Sequence, residues 1–298
     1  MTRLLPVLTV VAGLIVLWYA GAVALNAQWT RDQAARAGVE IGFGDIVRDA
    51  FVQERPLLPA PHQVAAEFWR TTWVEEVTGK RGIVRSGSLS NRSLIHHGWV
   101  TLSAAALGFA IGAGFGVLLA VGIVYNRAMD ASVMPWAIAS QTVPILAIAP
   151  MIIVVLASVG LTGLVPKAVI SAYLSFFPVV VGMVKGLRSP DPMQLDLMRT
   201  WGASGAQSFV RLRLLSASMP YLFASMKVGA AASLVGAIVG ELPVQEGGLG
   251  ARLLAGSYYG QTVQIWAALF AAALLAAAVV GVIGAIERAT LNRMGFGR

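Results

Sequence analysis

Six apolar runs of about twenty residues or more, nearly free of charge, limit this chain more than any other feature. They cover residues 4–25, 99–124, 133–157, 164–184, 220–240 and 263–286. A helix rises 1.5 Å per residue, so about 20 residues cross a hydrocarbon core of roughly 30 Å. Runs this long, without apolar–polar alternation, do not fit barrel strands. Of the 298 residues, 57% are hydrophobic and 12% charged, against roughly 25% charged in a soluble domain. A soluble enzyme, a disordered chain and a fibrous one are excluded. The sequence predicts an all-α polytopic membrane protein with about six transmembrane helices.

The net charge is +8. In a membrane protein such an excess reads as the positive-inside bias rather than as nucleic-acid binding. With the N-terminus inside, the short inner segments hold Arg3, Arg127, Lys185, Arg188, Arg199, Arg211, Arg213, Arg288, Arg293 and Arg298, and the short outer loops only Lys167 and Arg252. Both termini are therefore expected on the cytoplasmic side. The expected organisation is a first transmembrane helix (1–25), an outer, periplasmic segment (26–97), a five-helix core (98–287) with a cytoplasmic loop at 189–218, and a cytoplasmic tail (288–298). Arg3, the apolar run and Ala22-Val23-Ala24 also fit a cleavable signal peptide. The length of the run and the interfacial pair Trp18-Tyr19 favour a retained helix. In the outer segment, residues 55–61 read as extended because of their prolines. Residues 64–77 read as a short helix, and 80–91 as a Gly/Ser/Arg-rich loop.

The chain has no Cys and three His, which leaves little for metal, disulfide or thiol chemistry. Gly108, Gly112 and Gly116 form a double small-x-x-x-small pattern, expected to pack helix backbones closely. Pro144, Pro150 and Pro178 are expected to kink their helices. Between Trp99 and Ile286 the acids are Asp130, Asp191, Asp196, Glu241 and Glu246, all in loops or at span ends. A proton-coupled carrier needs ionisable groups inside its spans. Lys227 alone qualifies, and it can snorkel to the cytoplasm. The polar residues inside or at the edge of the spans, Gln141, Thr142, Ser171, Tyr173, Ser175, Ser225 and Ser233, are candidates for lining a passage. Each can instead bond its own helix.

The most informative stretch is the inner segment 189–218. Asp191 and Pro192 mark a helix start. Met193, Leu197 and Trp201 recur at i, i+4, i+8 and form an apolar stripe, which Gly202 and Gly205 end. A second short helix is expected to carry Phe209, Val210 and Leu214 on one side. Asp196-Leu197-Met198, three residues, Gly202, nine residues, then Leu212-Arg213-Leu214-Leu215 resembles the cytoplasmic loop of ATP-binding-cassette (ABC) importer permeases. That pattern has Glu-Ala-Ala, Gly, then Ile-x-Leu-Pro at the same spacing. Asp196 stands for the Glu, Leu197 and Met198 for the two Ala, and Leu215 for the Pro.

Further stretches are similar to the permeases for nitrate, sulfonates, taurine and thiamine-pyrimidine or riboflavin-type vitamins. They are Pro59-Ala60-Pro61-His62-Gln63-Val64, Thr101-Leu102-Ser103 with Gly108-Phe109-Ala110-Ile111-Gly112, the run from Val143 to Pro150, Gly236-Ala237-Ile238-Val239-Gly240-Glu241, and Gly247-Gly248-Leu249-Gly250.

The resemblance implies a membrane subunit with the fold of a type I ABC importer permease that pairs with a second permease copy. It implies two ATPase subunits docked on the loop through Asp196, Leu197, Met198, Trp201, Gly202 and Ala203. It further implies a periplasmic or lipid-anchored binding protein that delivers a small polar organic solute or anion, and a bacterial inner-membrane location. ATP and Mg would belong to the partner ATPase; this chain would bind no cofactor, act on no nucleic acid and not be an enzyme, and it lacks the phosphate loop G-x-x-x-x-G-K-[ST]. The alternatives are a secondary carrier and a membrane-anchored ligand-binding or signalling protein.

Overall fold

The computed structural model describes residues 4–73, 75–79, 82–86, 93–243 and 247–295. Arg3, Glu246, Arg298 and residues 80, 81 and 87–91 of the expected loop lie outside these. The chain divides into two compact units, one of residues 1–97 and 252–272, the other of residues 98–251 and 273–298. Among the described residues five helices are long and apolar enough to cross a membrane, or six if one bent pair counts as a single span.

In the first unit, α1 (Leu4–Ala37) runs 34 residues, about 51 Å at 1.5 Å per residue. It overshoots the expected 1–25 span because nothing stops it before Gly38, whose φ of +65° ends the helix. There Gly38 N–H donates to Ala35 O and Val39 N–H to Ala34 O, a Schellman closure. α2 (Phe43–Ala50) packs on α1 with Ile46 and Ala50 buried. Thr30 Oγ1 donates to Asp49 Oδ2 at 2.7 Å, tying the two helices together. The extended stretch then runs along α1. Asn26, 1% exposed, accepts from Leu57 N–H at 2.7 Å and donates to Leu58 O at 2.9 Å. Trp18 Nε1 donates to Pro59 O at 3.0 Å.

α3 (Pro61–Trp73) follows. It is shorter at its C-terminus than the expected helix at 64–77, because Val77 belongs to a hairpin. β1 (Glu75–Gly79) pairs antiparallel with β2 (Gly82–Ser86), Val77 opposite Val84 and Thr78 opposite Ile83. β-branched residues such as Val77, Thr78, Ile83 and Val84 favour strands, so the expected loop at 80–91 contains one.

The second unit is built around α4 (Leu94–Tyr125), α7 (Leu164–Leu187) and α10 (Met219–Glu241). The expected single span at 133–157 is instead two helices, α5 (Arg127–Ser140) and α6 (Ile145–Ser158), bent by 99°. The break falls at residues 141–144. Pro144 lacks an N–H and turns the backbone extended (ψ 117°), and Val143 before it is pushed out of the helical region. Pro150 and Pro178 sit inside α6 and α7. Next come α8 (Pro192–Thr200), α9 (Gly205–Gln207) and a π-helical stretch (Ser208–Ala217). After α10 come α11 (Leu249–Tyr258) and α12 (Thr262–Arg293).

Candidate translocation pathway and coupling surface

Small residues set the spacing of the central helices. A Cβ on Gly108 would lie 2.3 Å from Ser171 Cβ and 2.5 Å from Ala168 O; on Gly112, 2.7 Å from Ala172 O; on Gly116, 2.8 Å from Phe176 O. Advancing along α4 thus advances along α7, and the two helices run parallel. Across α7 and α10 the order reverses. Gly182 meets Ser225, Gly229 meets Ser175 O, and Gly236 meets Ser171 Cα at 2.7 Å. Ser171, Ser175, Ser225 and Ser233 are all buried here. Ser171 Oγ donates across the helix pair to Ser233 O at 2.8 Å. The other three donate within their own helices, to Ala172, Leu222 and Ala230 carbonyls. In this structure the four serines therefore act in helix packing. Ser233 also borders a cavity of about 400 Å³, whose other walls include Leu102, Phe109, Leu234, Val279 and Ile283.

Gln141, Thr142 and Tyr173 come together at the break between α5 and α6. The Tyr173 hydroxyl donates to Ser140 O, a carbonyl at the end of α5. Thr142 Oγ1 donates to Ala139 O at 2.8 Å and Gln141 Nε2 to Ser140 Oγ at 3.2 Å. Gln141 and Thr142 are exposed. Interrupted helices in membranes occur where irregular backbone is buried in protein or borders a water-filled space, and transporter binding sites use them. Of the polar candidates, these three lie at the interruption between the two helices.

The segment at 189–218 is built to present a surface. Asp191 caps α8 by accepting from Met193 N–H at 2.9 Å, and its own N–H donates to Gln194 Oε1 at 3.3 Å. Pro192 occupies the first helical position, where its missing N–H costs nothing. At the other end Gly202 N–H donates to Arg199 O and Ala203 N–H to Met198 O, with Gly202 at φ +70°, a second Schellman closure. No residue of α8 is buried. Met193 is 78%, Leu197 49% and Trp201 74% exposed. Asp196 pairs with Arg199 at 3.1 Å, both largely exposed; Asp191, not Asp196, supplies the cap.

Beyond α9, Phe209 and Leu214 pack on the cluster around Ile123, Val180 and Met183, and Phe209 meets Tyr125 edge-on at 5.1 Å. Val210, expected beside them, is 42% exposed. The π-helical winding explains the difference, because residues five apart, such as 209 and 214, then fall in line. Arg213 Nη1 donates to Leu187 O at 3.3 Å, and Arg188 pairs with Asp130 at 2.8 Å. The loop is thereby fixed to the ends of α4 and α7, and the end of α7 to the start of α5.

One cluster carried no functional assignment from sequence. Glu241, the last residue of α10, is fully buried. Its Oε2 accepts from Thr101 Oγ1 at 3.0 Å and from Gly250 N–H at 2.8 Å, and Thr101 Oγ1 accepts from Leu249 N–H at 2.9 Å. A Cβ on Gly248 would lie 2.1 Å from Glu241 Cδ. Lys167, expected in an outer loop, is 3% exposed in the first turn of α7, close enough to act on Glu241 electrostatically. A buried charge needs hydrogen-bonded and charged neighbours, and α4, α7 and the start of α11 supply them. The signal in the sequence was the pairing of Glu241 with the glycines at 247, 248 and 250. Lys227, inside α10, pairs with Glu287 of α12 at 2.5 Å.

Membrane-crossing helices, an interrupted span and a capped, unburied helix on a loop define a helical membrane transport protein. Residues 112–294 match the family of binding-protein-dependent transport system inner membrane components, and the chain belongs to that family, the permeases of ABC importers. It is 30% identical over 234 residues, 78% of each chain, to the riboflavin transport system permease protein of Chloroflexus aurantiacus. Over 168 residues it is 29% identical to the formylaminopyrimidine transport permease protein of Halalkalibacterium halodurans, covering 56% of this chain and 65% of the relative. It is 24% identical over 254 residues to a putative aliphatic sulfonates transport permease protein of Bacillus subtilis, covering 85% and 84%.

Proposed function

We propose that this multi-pass protein forms the passage of an importer for a small polar organic solute or organic anion. A separate binding protein delivers the solute, and two partner ATPase subunits dock on α8 and drive transport. Two copies of the chain pair in the bacterial cytoplasmic membrane, with both termini inside. The chain itself is the transport subunit and does not hydrolyse ATP. The observation that carries this reading is α8. A nine-residue helix is marginal alone, yet this one is closed at both ends and keeps Met193, Leu197 and Trp201 of its apolar stripe exposed. ATP-driven closure of the ATPase pair would move α8. The movement would reach α4 through Phe209–Tyr125, α7 through Arg213–Leu187, and from the end of α7 pass to α5 through Arg188–Asp130. The substrates named for the relatives, riboflavin, a formylaminopyrimidine and aliphatic sulfonates, support the substrate class.

The test is co-purification of the tagged protein with an ATPase subunit in mild detergent, beside Leu197→Asp and Trp201→Ala. The expected result is an ATPase held by the wild type and lost from both variants, with the permease still folded. Uptake in vesicles that persists without ATP, with no ATPase bound, would reject the reading in favour of a secondary carrier.

A further inference from the structure

Helix α3 is amphipathic with the wrong face outward for water. Its exposed residues are His62, Ala65, Ala66, Trp69, Arg70 and Trp73, with the two tryptophans and the two alanines on one stripe and Arg70 at its edge. Trp69 is 63% and Trp73 53% exposed, with their rings 5.9 Å apart. The buried side holds Val64 and two threonines, Thr71 and Thr72, whose hydroxyls donate to Glu67 O and Phe68 O. The two charges of α3, Glu67 and Arg70, neutralise each other at 2.8 Å.

The level of α3 along α1 is fixed by its first turn. His62 stacks on Tyr19 at 5.8 Å, and Pro59 O takes the Trp18 indole N–H. Tyr19 lies inside the apolar run 4–25, six residues or about 9 Å from its end by helix rise. Just below it, Leu14, Ile15, Val16 and Leu17 are exposed, as lipid-facing residues of a span must be. The first turn of α3 therefore lies level with the last third of the apolar run of α1, beside its exposed apolar residues. Tryptophan favours this zone because its ring is apolar and its N–H polar. A 13-residue helix whose outer side carries two tryptophans with an arginine at its edge lies in the interface rather than across it.

We infer that α3 is an interfacial helix, bound to the lipid headgroup layer on the side where α1 ends, with Trp69 and Trp73 as its anchors. The surface of this part of the outer segment is then lipid-bound and closed to a protein partner.

The absence of Cys allows a direct test on the full chain in phosphatidylethanolamine–phosphatidylglycerol proteoliposomes. Trp69→Cys, Trp73→Cys and Val39→Cys each receive an environment-sensitive fluorophore. Labels at 69 and 73 are expected to be quenched at least about twofold more by a headgroup-level nitroxide lipid than the label at 39, as interfacial placement requires. Quenching at 69 and 73 no greater than at 39 overturns the inference. So does shielding that appears only when the binding protein is added, which would make the Trp pair a protein-docking site. Unlabelled protein gives an independent reading. Brominated lipid should quench wild-type tryptophan emission more than that of the Trp69→Phe, Trp73→Phe double variant, and equal quenching again overturns it.

Discussion

At the residue scale, the cluster around Glu241 holds the sharpest constraints. Gly248 combines φ +111° with a Cβ position 2.1 Å from the Glu241 carboxyl carbon. Gly248→Ala therefore meets both backbone strain and overpacking, together roughly 2–4 kcal/mol. Gly38 also has positive φ (+65°), but no atom lies within 4 Å of its Cβ position. Gly38→Ala should cost only about 1 kcal/mol, from strain alone. Heat-induced aggregation in detergent is expected to show a large drop in midpoint for Gly248→Ala and a small one for Gly38→Ala. Equal drops would refute the packing argument. At Glu241 the question is acceptor against charge. Glu241→Gln keeps an oxygen for Thr101 and Gly250. Glu241→Ala removes the acceptor from both buried donors, at about 1–3 kcal/mol each. The expected order of thermal midpoint is wild type, then Gln, then Ala; a Gln variant as unstable as Ala would show that the charge, facing Lys167, is what matters.

At the element scale, α8 separates stability from coupling. Asp191→Ala removes an N-cap worth about 1 kcal/mol, and Gly202→Ala strains the closing turn by about the same amount. No residue of α8 is buried, so fraying it should leave the thermal midpoint of the permease nearly unchanged. Binding-protein-stimulated ATPase activity of the assembled importer is expected to fall severalfold for either variant and further for both. A fall in midpoint without a change in activity would contradict this division.

The ends of α8 were legible in the sequence because a cap and a closing glycine are local signals, readable from Asp191, Pro192 and Gly202 alone. The interruption at 141–144 was not. Hydropathy runs unbroken across it, and a proline such as Pro150 or Pro178 remains inside its helix while Pro144 stands just before the start of one. Val77 and Val210 were misplaced for a related reason. A hairpin partner and a π-helical winding are set by residues that a helical period does not weigh. The Glu241 site depends on Thr101, 140 positions away, and nothing near either residue announces the other.

At the scale of the whole molecule, the parallel course of α4 and α7 decides the topology. Gly108, Gly112 and Gly116 meet Ala168, Ala172 and Phe176 in the same order, so both helices end on one face. The Tyr125–Phe209 contact and the Arg188–Asp130 pair lie at that face. The chain must then cross the bilayer between α4 and α7. The bent pair α5–α6 is the only described segment between them, so it crosses as one broken span rather than returning as a re-entrant loop. Counted with the five other membrane-length helices of the described residues, that makes six spans. Five crossings would place α8 and Arg188, Arg199, Arg211 and Arg213 outside, against the positive-inside rule. Single cysteines report this directly. In intact cells a membrane-impermeant maleimide is expected to label Thr162→Cys, between α6 and α7, and to spare Met193→Cys until the membrane is opened. The reverse pattern would make α5–α6 re-entrant and put α8 out of reach of any cytoplasmic ATPase.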